Sequence, residues 1–558
     1  MWPLFRQARY LGRYRQIAQV LGQHGFGYLV EQLGLLPLLS LPRRIVRHPA
    51  PDPLSGPERL RQVLTDLGPT FVKLGQMLST RPDVLPAAYI AELNQLQDAV
   101  PPFPAAVATA EIEAELGRPL DQLYRSFSQE PLAAGSLGQV HAATLHDGSE
   151  VVVKIQRPHI EQVVALDLAI LSEIATLAQE RLDFARQYDF VDLAWEFGAT
   201  LRGELDYRRE GRNGDRFRKH FEGSEIIHIP MIYWDYTSAR VLTSERLFGV
   251  KINDIAGLEA AHMDRRQLAR NSSTIILQEI FRDGFFHADP HPGNFFALPG
   301  EKIGVVDFGQ AVSLDRETTN NLLMLLVMLT RNDTKGALRS MQRLGILHPR
   351  DMTEGLQRDM TRFIERLVDR PLEEMSARET FNELLTLIRR HRLHMPAPLA
   401  LLLRSIVMME GVGVQLDPHL DFFAIARPYA VEAFAETLSP EVMVRRAWEQ
   451  AQDWGEIATV LPRQITTVLE QLNAGELVLQ SRNEDMRRMA NALALAGTRL
   501  ALAVVLLASV LGLGGLGVII TLGGMSGTPA VIAVILATLA LIVTGLALLI
   551  SIVRGGRE

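Results

Sequence analysis

Apolar and polar positions recur with different periods along this chain, and the periods predict its elements. GQVHAATL (138–145) and EVVVKIQ (150–156) are typical of short β-strands, and HDGS between them is a hairpin turn signal. Elsewhere the apolar positions recur mostly at helical spacing. The pattern predicts helices over 61–125, about 160–213 and most of 265–431, with strands again at 226–247. Together these elements indicate an α+β fold.

Two uninterrupted apolar runs stand apart near the C-terminus. Residues 500–522 and 530–553 carry no charge, and at about 1.5 Å rise per residue each run covers a ~30 Å hydrocarbon core. The connector GGMSGTP is short and rich in turn residues, whereas arginines flank both ends of the pair. We therefore expect a transmembrane helical hairpin at 500–553 with both ends in the cytoplasm.

The first 60 residues show a third pattern. Arg6, Arg9, Arg13 and Arg15 are interleaved with aromatic and aliphatic side chains, without the continuous apolar core of a signal peptide. Two interpretations fit this basic amphipathic segment: a helix lying on anionic lipid, or a helix packed on the main body. The Pro-rich stretch RHPAPDPLSGPERL (47–60) then predicts a linker.

Composition narrows the classes of function. The chain has 558 residues, 47% of them hydrophobic and 22% charged, which suits several folded units and excludes a mostly disordered chain. A formal net charge of −7 gives no reason to expect a nucleic-acid partner. The absence of cysteine excludes disulfides, thiolate catalysis and Cys-ligated zinc or iron–sulfur sites.

The segment GFFHADPHPGNFF (284–296) carries the first candidate chemistry. Asp289 and Asn294 are five positions apart in a stretch too rich in proline for a helix or a strand, and Asp307 follows in DFG. The same order is found in the catalytic loop and metal-binding segment of protein kinases. Phosphoryl transfer depends on positioning and charge neutralisation, so Asp289 is the candidate catalytic carboxylate, and Asn294 and Asp307 are candidate Mg²⁺ ligands.

A lysine and a small-residue loop precede that segment at the kinase-like positions. Lys154 follows three valines in a predicted strand and is the candidate contact for the α- and β-phosphates. One hairpin earlier, AAGSLGQV (133–140) lacks the G-x-G-x-x-G pattern. The small residues Ala133, Ala134, Gly135 and Ser136 nevertheless allow backbone N–H groups to approach phosphate.

In this order, KLGQ (73–76), the alanine-bearing loop, VVVKIQRP, ELDYRREGRN (204–213), HADPHPGN and DFG resemble the UbiB family of atypical kinases. The resemblance covers roughly residues 60–440 and implies a two-lobed protein-kinase-like fold with an N-terminal extension. It implies binding of ATP (or ADP) with Mg²⁺, rather than ordinary protein phosphorylation. It also implies that the K-x-G-Q helix covers the site where a protein substrate would bind.

Further residue roles rest on the same resemblance. Lys73 and Gln76 would share one face of a covering, regulatory helix, while Phe71, Leu74 and Leu78 line another. Glu204 and Glu210 lie six positions apart, about 120° around a helix, and so are suited to two different lysines. The resemblance pairs Glu204 with Lys73 and Glu210 with Lys154. VLTSE (241–245), which ends at Glu245, is the candidate hinge to adenine.

The sequence therefore predicts a membrane-anchored kinase-like ATPase on the cytoplasmic face of the bacterial inner membrane, supporting ubiquinone biosynthesis. Membrane lipid, prenyl-lipid precursors and the biosynthetic enzymes are its expected partners. A nucleotide-switched lipid-binding scaffold and a small-molecule phosphotransferase remain as alternatives. The expected units are an N-terminal segment with linker (1–60), a helical extension (61–125), an N-lobe (126–247), a C-lobe (248–440), a helical linker (441–499) and the membrane hairpin (500–553).

Overall fold

The computed structural model describes residues 8–34, 54–79, 81, 84–96, 100–187, 189–369, 377–391, 393–422 and 424–429. All of them belong to the unit Met1–Met443, and the second unit is Val444–Glu558. The predicted helical linker at 441–499 and the predicted membrane hairpin at 500–553 therefore lie outside the described residues.

A four-stranded antiparallel sheet forms the N-terminal part of the site. Its order is β1-β2-β3-β5. In β3 the side chains of Val151, Val153 and Ile155 are fully buried in one core, because alternate residues of a strand face the same side. Lys154 consequently points to the opposite side. The strands are β1 Ser126–Ala134, β2 Gly138–Thr144, β3 Glu150–Gln156 and β5 Val241–Glu245.

A second sheet and a two-stranded ribbon carry the segments that follow. The sheet has the order β4-β9-β8-β6, and β10 pairs antiparallel with β7. Short 3₁₀ turns lie at Trp234–Tyr236, Pro292–Asn294 and Pro349–Asp351. The strands are β4 Ile227–His228, β6 Val250–Lys251, β7 Phe285–His287, β8 Phe295–Leu298, β9 Lys302–Val305 and β10 Ala311–Ser313.

Helices account for most of the remaining described chain. Those that precede the first sheet are α1 Ala8–Gln23, α2 Gly27–Gln32, α3 Gly56–Leu67, α4 Pro69–Ser79, α5 Ala87–Leu93, α6 Ala105–Leu116 and α7 Leu120–Leu123. Between β3 and β4 lie α8 Ile160–Arg181, α9 Asp183–Gln187, α10 Phe190–Glu204 and α11 Tyr207–His220. After β6 come α12 Ile255–Ala260, α13 Arg265–Phe281, α14 Arg316–Thr330, α15 Thr334–Arg343, α16 Glu354–Asp369, α17 Ala377–Arg390 and α18 Ala397–Leu416.

The N-terminal helix α1 packs on the body of the protein. Tyr14 and Ile17 are buried in a core shared with α3, α4 and α8. Arg13 forms hydrogen bonds of 2.7 and 2.9 Å to Asp167, which is fully buried on α8. For residues 8–23 the structure therefore supports the second of the two interpretations, a helix docked through one apolar face and one buried ion pair.

Helix α3 begins at Gly56, inside the stretch expected to be a linker. Ser55 Oγ accepts a hydrogen bond from the N–H of Glu58, and the Glu58 carboxylate accepts one of 2.7 Å from the N–H of Ser55. This reciprocal cap satisfies two donors that a helix start otherwise leaves open. The proline-rich sequence thus ends in a capped helix start.

The long helical stretch predicted over 160–213 is interrupted. Leu205 ends α10, and Asp206 begins α11 by accepting a hydrogen bond from the N–H of Arg208. Aspartate favours this position because its side chain satisfies an open N–H at a helix start. Glu204 and Glu210 consequently lie on two helices, and the expected 120° separation on one helix is wrong.

Among the described residues, one helix is long and apolar enough to cross a membrane, α18. Half of the most apolar stretch of this helix is buried inside the protein. Leu402, Met409 and Val412 contribute to the core around α13 and β7. Helix α18 is therefore placed as a core helix of this unit, and it is distinct from the two apolar runs predicted near the C-terminus.

Candidate functional site

A cavity of about 1060 Å³ is bordered by the first sheet, the helical extension and the loop that follows β7. Small-molecule sites range from roughly 300 to 1,000 Å³, so this volume suits a nucleotide and leaves further space. Twelve of the thirteen site residues predicted from the sequence line it. They are Lys73, Gln76, Ala133, Ala134, Gly135, Ser136, Lys154, Glu204, Glu210, Asp289, Asn294 and Asp307.

The thirteenth residue, Glu245, is engaged elsewhere. Its carboxylate lies 2.9 Å from His228 Nε2 and accepts a hydrogen bond of 3.1 Å from the N–H of Met231. Its own N–H donates to the Met231 carbonyl at 2.9 Å. On the edge of β5 that faces away from β3, Ile232 forms a bridge with Ser244, so the Glu245 amide is already used within the fold, and Glu245 does not line the cavity.

Lys154 lies at the centre of a compact charge cluster. Its Nζ is 2.8 Å from both carboxylate oxygens of Glu210 and 3.5 Å from Asp307 Oδ2. Burial disfavours the ammonium, but the carboxylates of Asp307 and Glu210 outweigh it and raise the pKa of Lys154 well above its usual value. The lysine is therefore held as a cation between helix α11 and the DFG segment.

Asp307 is held ionised in an uncommon backbone conformation. Burial works against its charge, but Lys154 and the N–H of Gly309, 3.1 Å from Oδ1, lower the pKa of Asp307 to about 2. Its φ of 65° lies in the left-handed region, which aspartate tolerates better than most residues. Such strain is typical of functional sites, where surrounding contacts hold the residue in place.

The catalytic-loop candidates are fixed by His287. Its Nδ1 accepts a hydrogen bond of 3.1 Å from the N–H of Asp289, so Nε2 carries the proton that it donates to the Asp307 carbonyl at 2.7 Å. Burial lowers the pKa of His287 and keeps the ring neutral. The amide of Asn294 donates to the Asp289 carbonyl at 3.4 Å. His287 thereby ties the loop of Asp289 to the segment of Asp307, and both of its nitrogens are used in doing so.

The small-residue loop is a tight turn between β1 and β2. The N–H of Gly135 donates to the Gly138 carbonyl at 2.8 Å, and Arg157 Nε donates to the Gly135 carbonyl at 3.1 Å. Ala133 and Ala134 belong to β1 and pair with β2. A Cβ at Gly138 would lie 2.4 Å from the Ile155 carbonyl oxygen, so this position requires glycine. The loop therefore lines the cavity as a rigid turn whose Gly135 amide bonds internally.

The donor set suits a magnesium ion that also binds a nucleotide. Asp307 offers a carboxylate and Asn294 an amide oxygen, the hard ligands that Mg²⁺ prefers. Within the described residues, no group of three or more His, Cys, Asp or Glu side chains is close enough to hold a metal without other ligands. In nucleotide sites Mg²⁺ commonly takes one or two protein ligands and completes its shell with phosphate oxygens and water.

Helix α4 contributes the covering residues. Lys73 Nζ lies 3.5 Å from Glu204 Oε2, and both side chains are mostly buried. Gln76 Nε2 donates to the Leu96 carbonyl at 3.2 Å, which fastens this face of the helix to the turn after α5. As predicted, Lys73 and Gln76 share the face that lines the cavity, while Phe71 packs in the core.

Sequence reasoning missed Gln310 and Arg404, which bond to predicted residues on the cavity wall. Gln310 Nε2 donates to Glu204 Oε1 at 2.8 Å, and Arg404 Nη2 lies 3.1 Å from Asp289 Oδ1. Gln310 directly follows DFG, so its proximity to Asp307 was a usable signal. Arg404 is 115 positions from Asp289 and reaches the site through the packing of α18, which no local pattern records.

Two models of known protein families match this chain. Residues 95–341 match the ABC1 atypical kinase-like domain, and residues 360–421 match the UbiB helical domain. The first contains Lys154, Asp289 and Asp307, and the second contains α18 with Arg404. The site geometry and the family models therefore agree on a kinase-like protein with a mixed helix and sheet fold.

Individual relatives cover most of the chain. The uncharacterized protein sll1770 of Synechocystis is 38% identical over 77% of this chain and 74% of its own length. A Marinobacter nauticus protein named probable protein kinase UbiB is 35% identical over 76% of this chain and 79% of its own. The Arabidopsis protein ACTIVITY OF BC1 COMPLEX KINASE 7, chloroplastic, is 35% identical over 77% of this chain and 63% of its own. With the ABC1 domain, the UbiB helical domain and these relatives, the chain belongs to the UbiB family of atypical kinases.

Proposed function

We propose that this chain is a magnesium- and ATP-dependent kinase-like enzyme that supports ubiquinone biosynthesis at the bacterial inner membrane. The observation that carries the proposal is the Lys154–Glu210 ion pair of 2.8 Å, with Asp307, Asp289 and Asn294 on the same cavity. Kinase-type phosphoryl transfer needs the lysine–glutamate pair and the metal-binding aspartate together in place. A relative named probable protein kinase UbiB supports the link to ubiquinone.

Each residue has a distinct task in this proposal. Lys154 binds the α- and β-phosphates and is oriented by Glu210, while the turn at 133–138 borders the phosphates. Asp289 accepts the proton of the attacking hydroxyl or water. Asn294 and Asp307 hold Mg²⁺, which neutralises charge on the phosphates when it is bound. His287 keeps the two aspartate-bearing segments at a fixed separation through its two ring nitrogens.

The proposed substrate lies in or near the bilayer. Two apolar runs at 500–522 and 530–553 are each long enough to span a membrane. A prenylated precursor hardly leaves the bilayer unaided, since each buried CH₂ contributes about 0.8 kcal/mol. ATP turnover at a membrane-anchored site would expose or extract the head group, or remodel the enzymes that act on it. Membrane lipid, prenyl-lipid precursors and these enzymes are thus the proposed partners.

A comparison of lipid extracts tests the proposal. Cells lacking the gene are expected to accumulate prenylated phenolic precursors, and the wild-type gene is expected to clear them. Variants Asp289→Asn and Asp307→Asn should fail to clear them, whereas the exposed Glu317→Gln on α14 should succeed as a matched control. If Asp289→Asn clears the precursors as well as wild type, turnover is not needed. A nucleotide-switched scaffold would then be the better account.

A further inference from the structure

Helix α18 touches the catalytic loop through two successive side chains. Arg404 Nη2 lies 3.1 Å from Asp289 Oδ1, and Ser405 Oγ donates to the His287 carbonyl at 3.0 Å. Ser405 is fully buried, whereas the Arg404 side chain is 25% exposed and lines the cavity. The two neighbours therefore differ in kind: one is a buried anchor, and the other presents a cation to the cavity.

Among the described basic residues that line the cavity, Arg404 is distinguished by its ion pair with Asp289. Lys154 is paired with Glu210, Lys73 with Glu204, and Arg81 with Glu196. These carboxylates belong to helices α10 and α11. Arg404 instead pairs with the carboxylate that receives the substrate proton in the proposed reaction. A cation is thus held at the position where the nucleophile and the transferred group meet.

Negative charge accumulates at the position of Arg404 during phosphoryl transfer. The γ-phosphoryl group carries negative charge spread over its oxygens during transfer, and the nearby Asp289 carboxylate is also negative. Two like charges at close range repel each other, and a cation between them reduces that repulsion. A guanidinium offers five N–H donors in a planar fork, so it can bond to Asp289 on one edge and to phosphoryl oxygens on another.

We propose that Arg404 binds the phosphoryl group during its transfer and bridges it to Asp289, which deepens the proposed function and rests on it. The bond from the γ-phosphorus to the β,γ-bridging oxygen breaks, and a bond to the acceptor oxygen forms. Asp289 takes the acceptor proton and releases it to solvent, and ADP leaves with the bridging oxygen. Arg404 stays protonated throughout and stabilises charge that is greatest in the transition state.

A purely structural role for Arg404 is less consistent with the packing. Helix α18 is already fixed by the buried Ser405 hydrogen bond and by Leu402 and Met409 in the core. An anchor has no need of a partly exposed guanidinium that opens onto a cavity. The two roles predict different losses of affinity. Removal of a structural anchor would weaken the binding of all nucleotides equally. Removal of a phosphoryl contact would weaken the binding only of ligands that have a group at the γ position.

The test compares nucleotide affinities of the full-length chain in MgCl₂. Arg404→Gln should bind ADP as wild type does, because ADP has no γ-phosphoryl group. It should bind ADP with fluoroaluminate, which mimics the phosphoryl group in transfer, about 10- to 100-fold more weakly. Arg404→Lys keeps the charge without the fork and should regain part of the loss. Arg339→Gln, with its side chain 64% exposed on α15, is the matched control and should match wild type.

Three outcomes overturn the inference. Equal affinity of Arg404→Gln and wild type for ADP with fluoroaluminate would show that Arg404 does not contact the transferred group. An equal loss of affinity for ADP and for ADP with fluoroaluminate would show that it only supports the site. If wild type itself binds neither ligand, the proposed function fails and the inference fails with it. Circular dichroism of each variant establishes that the chain is folded in every comparison.

Discussion

Gln310 Nε2 donates a 2.8 Å hydrogen bond to Glu204 Oε1, and the other oxygen of that carboxylate lies 3.5 Å from Lys73 Nζ. Gln310 follows Asp307 by three residues, so one carboxylate joins the covering helix α4 to the metal-binding segment. Lys73 and Glu204 are 15% and 11% exposed, which places their interaction in a region of reduced solvent screening. Helix α4 and the proposed metal site are therefore coupled through the side chain of Glu204.

The first prediction concerns this coupling. Lys73→Ala should lower the free energy of unfolding, because Glu204 then loses its cation in a mostly buried position. Glu204→Ala should cost more, since it removes one acceptor that Lys73 and Gln310 share. We expect losses of about 1–3 kcal/mol for each, and a double variant that is less than additive by at least about 0.5 kcal/mol. Chemical denaturation measures all three.

A double-mutant cycle on ATP turnover provides the functional counterpart. The two single changes should alter phosphate release in the same direction, and the double variant should resemble Glu204→Ala. Arg208→Ala, an exposed residue on α11 paired with Asp206, serves as the control that should not couple to Lys73. If the effects of Lys73→Ala and Glu204→Ala are strictly additive in both assays, Lys73 and Glu204 do not interact.

The second prediction concerns the proposed metal ligand. Asp307→Asn removes the negative charge of one hard oxygen ligand, so MgATP should no longer raise the midpoint of thermal unfolding. Lys154 also loses one of its two carboxylate neighbours, which weakens the phosphate contact further. The exposed Glu317→Gln is the control for a loss of one negative charge elsewhere. A MgATP-induced shift in Asp307→Asn as large as that of wild type would refute the assignment.

The third prediction follows from a buried carboxyl group next to the catalytic loop. Burial raises the pKa of Glu279 to about 8, while the N–H of His287, 2.9 Å from its carboxylate, acts in the opposite direction. The folded chain therefore keeps a proton that the unfolded chain releases above its ordinary pKa of 4.5. With respect to this group, stability is greatest below the unfolded pKa and falls as the pH rises towards about 8.

Glu279→Gln stays neutral at every pH and retains an oxygen acceptor for His287. Its stability relative to wild type should therefore increase by about 2–4 kcal/mol between about pH 5 and pH 8. Unfolding of both proteins across this range measures the difference, with Glu317→Gln as an exposed carboxyl control. A difference that does not change with pH would show that Glu279 ionises normally in the folded chain.

The fourth prediction concerns the apolar runs. A chain that ends before Asn491 should stay in the supernatant after ultracentrifugation and should bind nucleotide as the full chain does. The reason is that every residue assigned to the site lies upstream of this point, and the truncation removes both apolar runs, 500–522 and 530–553. Loss of nucleotide binding in a truncated chain that keeps its circular dichroism spectrum would mean that the C-terminal segment belongs to the site.

Local patterns in the sequence predicted the parts of the site that depend on short-range order. Alternation in EVVVKIQ places Lys154 on the cavity side because Val151, Val153 and Ile155 fill the core. The Pro-rich spacing of HADPHPGN brings Asp289 and Asn294 to one loop, where the Asn294 amide reaches the Asp289 carbonyl. Each of these placements follows from the geometry of a strand or a turn.

Two of the three features that sequence reasoning missed depend on contacts between distant segments. Apolar spacing continues across Leu205 and Asp206, but the aspartate caps a new helix and places Glu210 on it. The Glu245 amide is used by Met231, because the strand gains a second partner that periodicity does not show. Arg404 reaches Asp289 only after α18 has packed on α13 and β7. Tertiary packing decided the last two, whereas the Asp206 cap is a local hydrogen bond that apolar spacing does not show.

Phosphate release from MgATP by the full-length chain tests the central claim most directly. The rate is measured without lipid, with anionic liposomes, and with liposomes plus a phenolic head-group analogue. We predict that wild type accelerates at each step, and that Asp289→Asn binds MgATP but releases phosphate about 10²- to 10⁴-fold more slowly. Stimulated release by Asp289→Asn at the wild-type rate would contradict the assignment of the catalytic carboxylate. Equal wild-type rates under all three conditions would contradict the proposed action on a membrane substrate.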